Sequence, residues 1–199
     1  MTLLLLAGLG ACDRQSPAPG QGQANSSAEV PATSGEAKGA PASAKGGAFS
    51  YTLDRSKAGT PAPDFTFAGP DGQDATLKDF AGKPLLVNLW ATWCAPCVAE
   101  MPTLDAVAQS YGPRGLAVLT ISQDSQGAGV VKPFFQKHKL PHLKGWIDPE
   151  NQFGFHYATS MLPTTVLYDR DGKEIGRVVG AMDWTSKEGR DLIQAALGS

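Results

Sequence analysis

Residues 84–112 read PLLVNLWATWCAPCVAEMPTLDAVAQSYG and carry two local patterns in succession. The first, 84–90, is a nearly continuous apolar run of strand length with Asn88 as its one polar interruption, which predicts a strand covered on both faces. The second, 98–112, has apolar residues at three-residue spacing and predicts a helix that Pro102 would kink. A strand and a helix therefore flank a central Cys-x-x-Cys pair.

Further strand and helix patterns extend in both directions from this unit. They are a hairpin at 65–75, a strand at 116–122, a helix at 129–139, a short helix at 151–158, a strand at 165–169, its antiparallel partner at 173–180 and a final helix at 186–197. Two successive strand and helix alternations predict a parallel βαβ core. We expect an α/β fold with a central mixed sheet, flanking helices and an N-terminal β-hairpin extension.

The composition of the chain limits the classes of function. Its 199 residues leave room for one ordinary domain and an additional segment. The 17 basic and 19 acidic residues give a net charge of −2 without an obvious cluster, which argues against a nucleic-acid partner. We expect a monomer.

The N-terminus has the pattern of an export signal. Residues 1–11 contain an apolar run that is well short of the ~20 residues of a membrane-spanning helix. The sequence Leu9-Gly10-Ala11-Cys12 resembles the lipobox of bacterial lipoproteins, which predicts cleavage before Cys12 and lipidation of that cysteine. The alternatives are a plain cleaved signal and an uncleaved anchor. Asp13 resembles an inner-membrane retention signal, so we expect a lipoprotein on the periplasmic side of the bacterial inner membrane.

Residues 12–48 are dominated by Ala, Gly, Pro, Ser and Gln. Such a segment cannot bury enough apolar surface to offset its ordering entropy. We therefore predict a disordered tether over 12–48 and a folded domain over 49–199.

The pair Cys94 and Cys97 has the spacing of a reactive dithiol. If the helix opens at the motif, Cys94 lies at a helix N-terminus, where free backbone amides and the helix dipole favour a thiolate. Cys97 lies about one turn further and faces the same side, so it can close a disulfide with Cys94. Pro96 fits the first turn because its missing N–H would be unpaired there.

Two other uses of a Cys-x-x-Cys pair have to be compared with this one. A zinc site would need further ligands such as His138 and His142, but the gap to them is far longer than in a zinc finger. A permanent structural disulfide across so short a loop removes little entropy from the unfolded chain. Both are disfavoured, and we predict no metal site.

The segments NLWATWCAPCVAEMP (88–102) and MLPTTVLYDRDGKEIGRVVG (161–180) together resemble the TlpA/ResA-like family of membrane-anchored thiol–disulfide oxidoreductases. The resemblance extends over about residues 59–197 and implies a thioredoxin-like fold. It also implies that Cys94 is the attacking thiol, that Cys97 is the resolving thiol and that together they form a redox-active disulfide.

The same resemblance implies roles for three neighbours of the cysteines. Pro163 would be a cis-proline opposite the dithiol, which lets the backbone of Leu162 pair with an extended substrate. The alternative for Pro163 is an ordinary trans turn before a strand. Trp93 would shield the thiol and contact substrates, with plain packing as its alternative.

Asn88 stands where ordinary thioredoxins carry a buried carboxylate that accepts a proton from the resolving thiol, and an amide cannot do so. Glu100 lies three residues beyond Cys97 on the same side of the helix. A glutamate at this position takes part in the thiol chemistry of ResA-like proteins. We therefore predict that Glu100 manages the proton of Cys97, with a solvated helix glutamate as the alternative.

The resemblance implies an exported, membrane-tethered reductase that needs no bound cofactor. Its clients would be disulfide-bearing proteins such as apocytochrome c or a copper chaperone for oxidase assembly. Electrons would come from a DsbD- or CcdA-like membrane donor.

Two other functions stay open. A disulfide-introducing oxidase uses the same fold, and the motif alone does not fix the redox potential. A copper-binding chaperone also shares the fold and would draw on His138, His142 or His156, but its cysteine spacing is C-x3-C. A peroxidase is disfavoured because no proline-threonine-cysteine arrangement surrounds Cys94.

Overall fold

The computed structural model describes the backbone of residues 42–46 and the whole of residues 49–198. The predicted signal at 1–11, the lipidation site Cys12 and the predicted tether as far as residue 41 lie outside the described residues. A strand at Ala42–Gly46 falls within the predicted tether of residues 12–48. It pairs through backbone groups with the next strand, and such pairing requires no large apolar side chain.

The described strands form one mixed sheet in the order β1-β2-β9-β8-β5-β6-β7-β3-β4. They are β1 (Ala42–Gly46), β2 (Phe49–Asp54), β3 (Phe67–Ala68), β4 (Asp74–Ala75), β5 (Leu85–Trp90), β6 (Ala117–Ser122), β7 (Gly145–Ile147), β8 (Thr164–Tyr168) and β9 (Glu174–Ala181). The strands β5, β6 and β7 run parallel, and β8 is antiparallel to β5. The prediction of a parallel βαβ core within a mixed sheet is confirmed.

Four α-helices flank this sheet in the described part of the chain. They are α1 (Ala95–Tyr111), α2 (Ala128–His138), α3 (Gln152–Tyr157) and α4 (Lys187–Gly198). Short 3-10 helices occupy Leu77–Phe80 and Gly112–Arg114. Among the described residues, none of these helices combines the length and the hydropathy that a bilayer-spanning helix needs.

The central strand β5 is buried on both faces, as its apolar run predicts. Leu86 and Trp90 belong to a core cluster that also contains side chains of α1, α2 and α4. Val87 and Leu89 belong to a second cluster, which contains side chains of α3. Because successive residues of a strand point to opposite faces, Asn88 points to the same side as Leu86 and Trp90, towards α1.

The N-terminal strands extend the sheet beyond β9 and require a close approach of two backbones. Tyr51 of β2 pairs with Gly180 of β9, which has φ of +100°. A Cβ atom added at Gly180 would lie 2.3 Å from the carbonyl oxygen of Ser50. Only glycine fits this position without moving β2.

Candidate active site

The cysteine pair lies where β5 gives way to α1. Cys94 is the N-cap of α1, and its Sγ accepts a hydrogen bond of 3.3 Å from the backbone N–H of Cys97. Pro96 occupies the first helical turn, where a backbone N–H has no partner within the helix. Cys94 and Cys97 are joined by a disulfide of 2.01 Å. Their assignment as attacking and resolving thiols stays a prediction.

The two sulfur-bearing residues differ in their access to solvent. Cys94 is 6% exposed, whereas Cys97 is fully buried. Cys94 lines a surface pocket of about 520 Å³ whose ten lining residues carry no charged side chain. They are Trp93, Cys94, Ala95, Pro96, Gln123, Asn151, Thr159, Ser160, Met161 and Leu162. A reactant can therefore reach Cys94 from this pocket, which does not include Cys97.

The loop before β8 forms the opposite wall of this pocket. The peptide bond between Leu162 and Pro163 is cis, and the carbonyl oxygen of Pro163 accepts a hydrogen bond from the N–H of Gly180. The backbone N–H and C=O of Leu162 bond to no residue in the part of the chain that the structure describes. These two groups are available to pair with an extended chain lying in the pocket.

Trp93 lies at the edge of the pocket and is 72% exposed. Packing in the core therefore does not account for this tryptophan. A large apolar side chain held in solvent beside a reactive sulfur offers a contact surface for a macromolecular reactant. Its predicted role in substrate binding is compatible with this position.

Glu100 lies on the buried side of α1. The side chain is 1% exposed, so the alternative of a solvated helix glutamate is wrong. Its Oε1 accepts a hydrogen bond of 2.6 Å from Nδ2 of Asn88, and its Oε2 accepts one of 2.8 Å from the N–H of Met182. Asn88 Nδ2 also donates to Thr165 Oγ1, at 2.9 Å. The two residues singled out in the sequence thus contact each other directly.

Burial raises the pKa of Glu100 to about 8, although the hydrogen bonds from Met182 and Asn88 favour the charged form. This value is close to the ordinary thiol pKa of ~8.5, so the carboxyl exchanges its proton in the pH range in which thiols ordinarily do. The role of Glu100 in managing the proton of Cys97 stays a prediction.

The sequence reasoning missed Asp124, which fixes the segment in front of Cys94. Asp124 is buried and accepts hydrogen bonds of 2.8 Å from the N–H and the hydroxyl of Thr92 and from the hydroxyl of Ser122. It lies just after the carboxyl end of β6, beside the carboxyl end of β5. That topology was the signal available, since polar residues that follow neighbouring parallel strands meet at one edge of the sheet.

Two of the three histidines considered for metal binding pack against aromatic rings. The ring of His138 stacks on Phe134 at 4.1 Å, and His156 packs edge-on against Phe65 and Tyr157. Over the described residues, no group of three His, Cys, Asp or Glu side chains is arranged to hold a metal ion.

Comparison with known proteins gives a consistent result. The Redoxin family model matches residues 57–193. The thiol-disulfide oxidoreductase ResA of a Bacillus cereus strain is 30% identical over 151 residues, which are 72% of this chain and 86% of the relative. A crystal structure from Chlorobium tepidum, provisionally assigned as the thiol:disulfide interchange protein DsbE, is 30% identical with a TM-score of 0.64 and covers 71% of this chain and 98% of its own.

A further solved structure is the exposed lipoprotein thioredoxin Etrx1 of Streptococcus pneumoniae strain TIGR4. It is 26% identical with a TM-score of 0.57, and the match covers 68% of this chain and 98% of that one. The matched family region contains the disulfide, the cis-proline loop and the buried glutamate. The chain belongs to the Redoxin family and, within it, to the TlpA/ResA-like thiol–disulfide oxidoreductases of thioredoxin fold.

Proposed function

We propose that this oxidoreductase works as a reductase of disulfides in client proteins and acts outside the cytoplasm. The observation that supports it most is the pocket beside Cys94, where this sulfur lies opposite backbone groups of Leu162 that bond to no residue the structure describes. A client chain could pair with Leu162 while its own sulfur lies against Cys94. Trp93 would cover the reacting sulfurs, and the cis bond at Pro163 would direct Leu162 towards the client.

The reaction starts from the reduced protein. The Cys94 thiolate attacks one sulfur of the client disulfide, the client S–S bond breaks, and the other client sulfur leaves as a thiolate that takes up a proton. Cys94 and the client are then joined by a mixed disulfide. The transfer of two electrons is complete only after a second exchange.

In the second step the ionised fraction of Glu100 accepts the proton of the Cys97 thiol, and the resulting thiolate attacks Sγ of Cys94. The mixed disulfide breaks, the second client sulfur leaves as a thiolate and is protonated, and the Cys94–Cys97 disulfide forms. Two electrons have then passed from the protein to its client. A DsbD- or CcdA-like membrane protein would return two electrons and two protons and so restore the dithiol.

The cellular setting forms part of the same proposal. A lipid on Cys12 would hold the domain at the membrane, and one similar structure is that of a protein named as an exposed lipoprotein. Clients would be apocytochrome c or a copper chaperone. Loss of membrane association in a Cys12→Ser variant would support the anchor, whereas unchanged association would contradict it.

The direction of electron flow is tested by a redox titration of the purified domain against glutathione. We expect the dithiol to reduce oxidised glutathione, with an equilibrium far towards the Cys94–Cys97 disulfide. Each ~30 mV of difference in potential corresponds to about 1.4 kcal/mol for this two-electron couple, so the assay resolves small differences. An equilibrium in which the disulfide oxidises glutathione would instead identify a disulfide-introducing oxidase.

A further inference from the structure

Three large apolar side chains stand out from the surface of residues 49–198. They are Trp93, Phe155 and Met161, with exposed fractions of 72%, 76% and 55%. Trp93 and Met161 line the pocket beside Cys94. Phe155 lies outside that lining, on α3, and the thiol chemistry described above does not use it. Exposed apolar side chains that gather near one site indicate a contact surface for another molecule.

The helix α3 connects Phe155 to the pocket. Phe153 and Tyr157 are buried side chains of this helix and belong to the second core cluster. Asn151, the N-cap of α3, lines the pocket, and Phe155 follows four residues later. Thr159, which follows α3, also lines the pocket. Phe155 therefore stands on a six-residue helix that has pocket-lining residues before and after it.

The position of α3 is fixed from the sheet side. Arg177 of β9 donates a hydrogen bond of 3.0 Å to the carbonyl oxygen of Tyr157, at the C-terminal end of α3. The guanidinium of Arg177 also pairs with buried Glu174, at 2.6 and 2.9 Å. The C-terminal end of α3, next to Phe155, is therefore held against the sheet.

We propose that the client-binding surface extends from the pocket onto α3. On α3, Phe155 contacts an apolar side chain near the client cysteine. The favoured client segment carries no charged side chain next to that cysteine. The proposal rests on the proposed function only in taking this pocket as the client site, and it holds for either direction of electron flow. The pocket lining carries no charge, so a charged client side chain would lose water without gaining a partner. An apolar side chain would instead cover Phe155.

The test compares two synthetic peptides, each with one intramolecular disulfide. The two peptides have the same length and the same cysteine spacing. The apolar peptide has Leu and Val beside its cysteines, and the charged peptide has Asp and Lys at the same positions. The rate constant for exchange with the reduced protein is measured for the wild type, Phe155→Ala and Phe155→Leu. Oxidised glutathione serves as a small disulfide that reaches Cys94 without extending to α3.

We expect Phe155→Ala to slow exchange with the apolar peptide by about tenfold, as for loss of an aromatic contact in an interface. Exchange with the charged peptide and with oxidised glutathione should change by less than about twofold, because neither loses an apolar contact there. Phe155→Leu should retain most of the rate with the apolar peptide, because an apolar contact remains.

The control variant is His156→Ala, which alters the neighbouring side chain on α3 and should leave all three rates unchanged. Equal rates of the apolar peptide with wild type and Phe155→Ala would overturn the proposal. So would an equal loss with the peptides and with oxidised glutathione, which would indicate damage to the dithiol. Failure of the reductase assignment would appear separately, in the equilibrium of the titration and not in these rate ratios.

Discussion

The two sides of the Cys94–Cys97 disulfide differ in solvent access and in the groups that surround them. On the outer side, Cys94 opens into a pocket without charged side chains, beside a mostly exposed Trp93. On the inner side, Cys97 is fully buried one helical turn before a carboxyl group, Glu100, whose pKa burial raises to about 8. The N-terminus of α1 therefore presents the Cys94 sulfur to reactants and keeps the Cys97 sulfur one turn from a carboxyl group that can bind a proton.

This difference separates two tasks that a single exposed dithiol would combine. The outer side can select a partner by shape and apolar contact, because the described residues that line the pocket carry no charge. The inner side can control protonation, because a buried carboxyl keeps or releases its proton near neutral pH. Each task can therefore be removed by substitution without removing the other.

The largest effects are expected when Cys94 or Cys97 is replaced by serine, one residue at a time. Cys94→Ser should abolish exchange with clients, since no other cysteine of the described residues lines the pocket. Cys97→Ser should retain the first step and accumulate a mixed disulfide between Cys94 and the client. Expression in the native host, gel separation without reductant and peptide mass spectrometry would identify the trapped partners.

The outcome that would contradict the comparison is the reverse pattern. Mixed disulfides through Cys97 in the Cys94→Ser variant, with none through Cys94 in the Cys97→Ser variant, would show that the buried sulfur is the one clients reach. A double serine variant serves as the control for disulfides formed after lysis.

The next largest effect concerns Glu100 and the dependence of stability on pH. The folded protein holds the Glu100 proton up to about pH 8, whereas a glutamate in the unfolded chain releases it near 4.5. Between these values the folded state binds one more proton, so its free energy of unfolding falls by about 1.4 kcal/mol for each pH unit gained. Below about pH 4.5 this contribution to stability is fully present, and above about pH 8 it is lost.

Glu100→Gln should remove that slope, because a neutral amide has no proton to exchange. Urea unfolding of the oxidised protein at several pH values between about 5 and 9 measures the slope for the wild type and the variant. The matched control is Glu150→Gln, at an exposed glutamate, which should leave the slope as in the wild type. If Glu100→Gln and the wild type show the same slope, Glu100 does not hold a proton in the folded protein at neutral pH.

Much of the outer side and the fold around it could be predicted from the sequence, because the signals there are local. A strand-length apolar run followed by Cys-x-x-Cys and a helical pattern predicts where β5 ends and where Cys94 lies. The Met-Leu-Pro-Thr sequence before β8 marks the opposite wall through the family resemblance. Each of these patterns occupies consecutive residues and needs no knowledge of packing.

The inner side could be predicted only in part, because it depends on how α1 packs on β5. The bond between Asn88 and Glu100 joins residues twelve positions apart, and the N–H of Met182 comes from the far end of the chain. Two short elements also lacked a signal. The strand β7 has three residues, and β1 pairs through its backbone, so neither needs a recognisable run of apolar side chains.

The smallest expected effect concerns Asp124, which holds Thr92 just before Trp93 and Cys94. Removing a buried acceptor leaves donors unpaired and costs about 1–3 kcal/mol of stability. We expect Asp124→Ala to lower stability by this amount and to slow exchange with a client peptide by only about two- to fivefold, since both sulfurs remain in place. Exchange with oxidised glutathione should hardly change.

A double-mutant cycle with Thr92→Val tests whether the contact itself is responsible. The hydroxyl of Thr92 lies 2.8 Å from Oδ1 of Asp124, so the two substitutions should be less than additive in both stability and peptide exchange. Strict additivity would mean that Asp124 acts through Ser122 or through the Thr92 backbone alone. If Asp124→Ala instead slowed exchange with oxidised glutathione as much as with the peptide, Asp124 would control the reactivity of the sulfur and not the wall of the pocket.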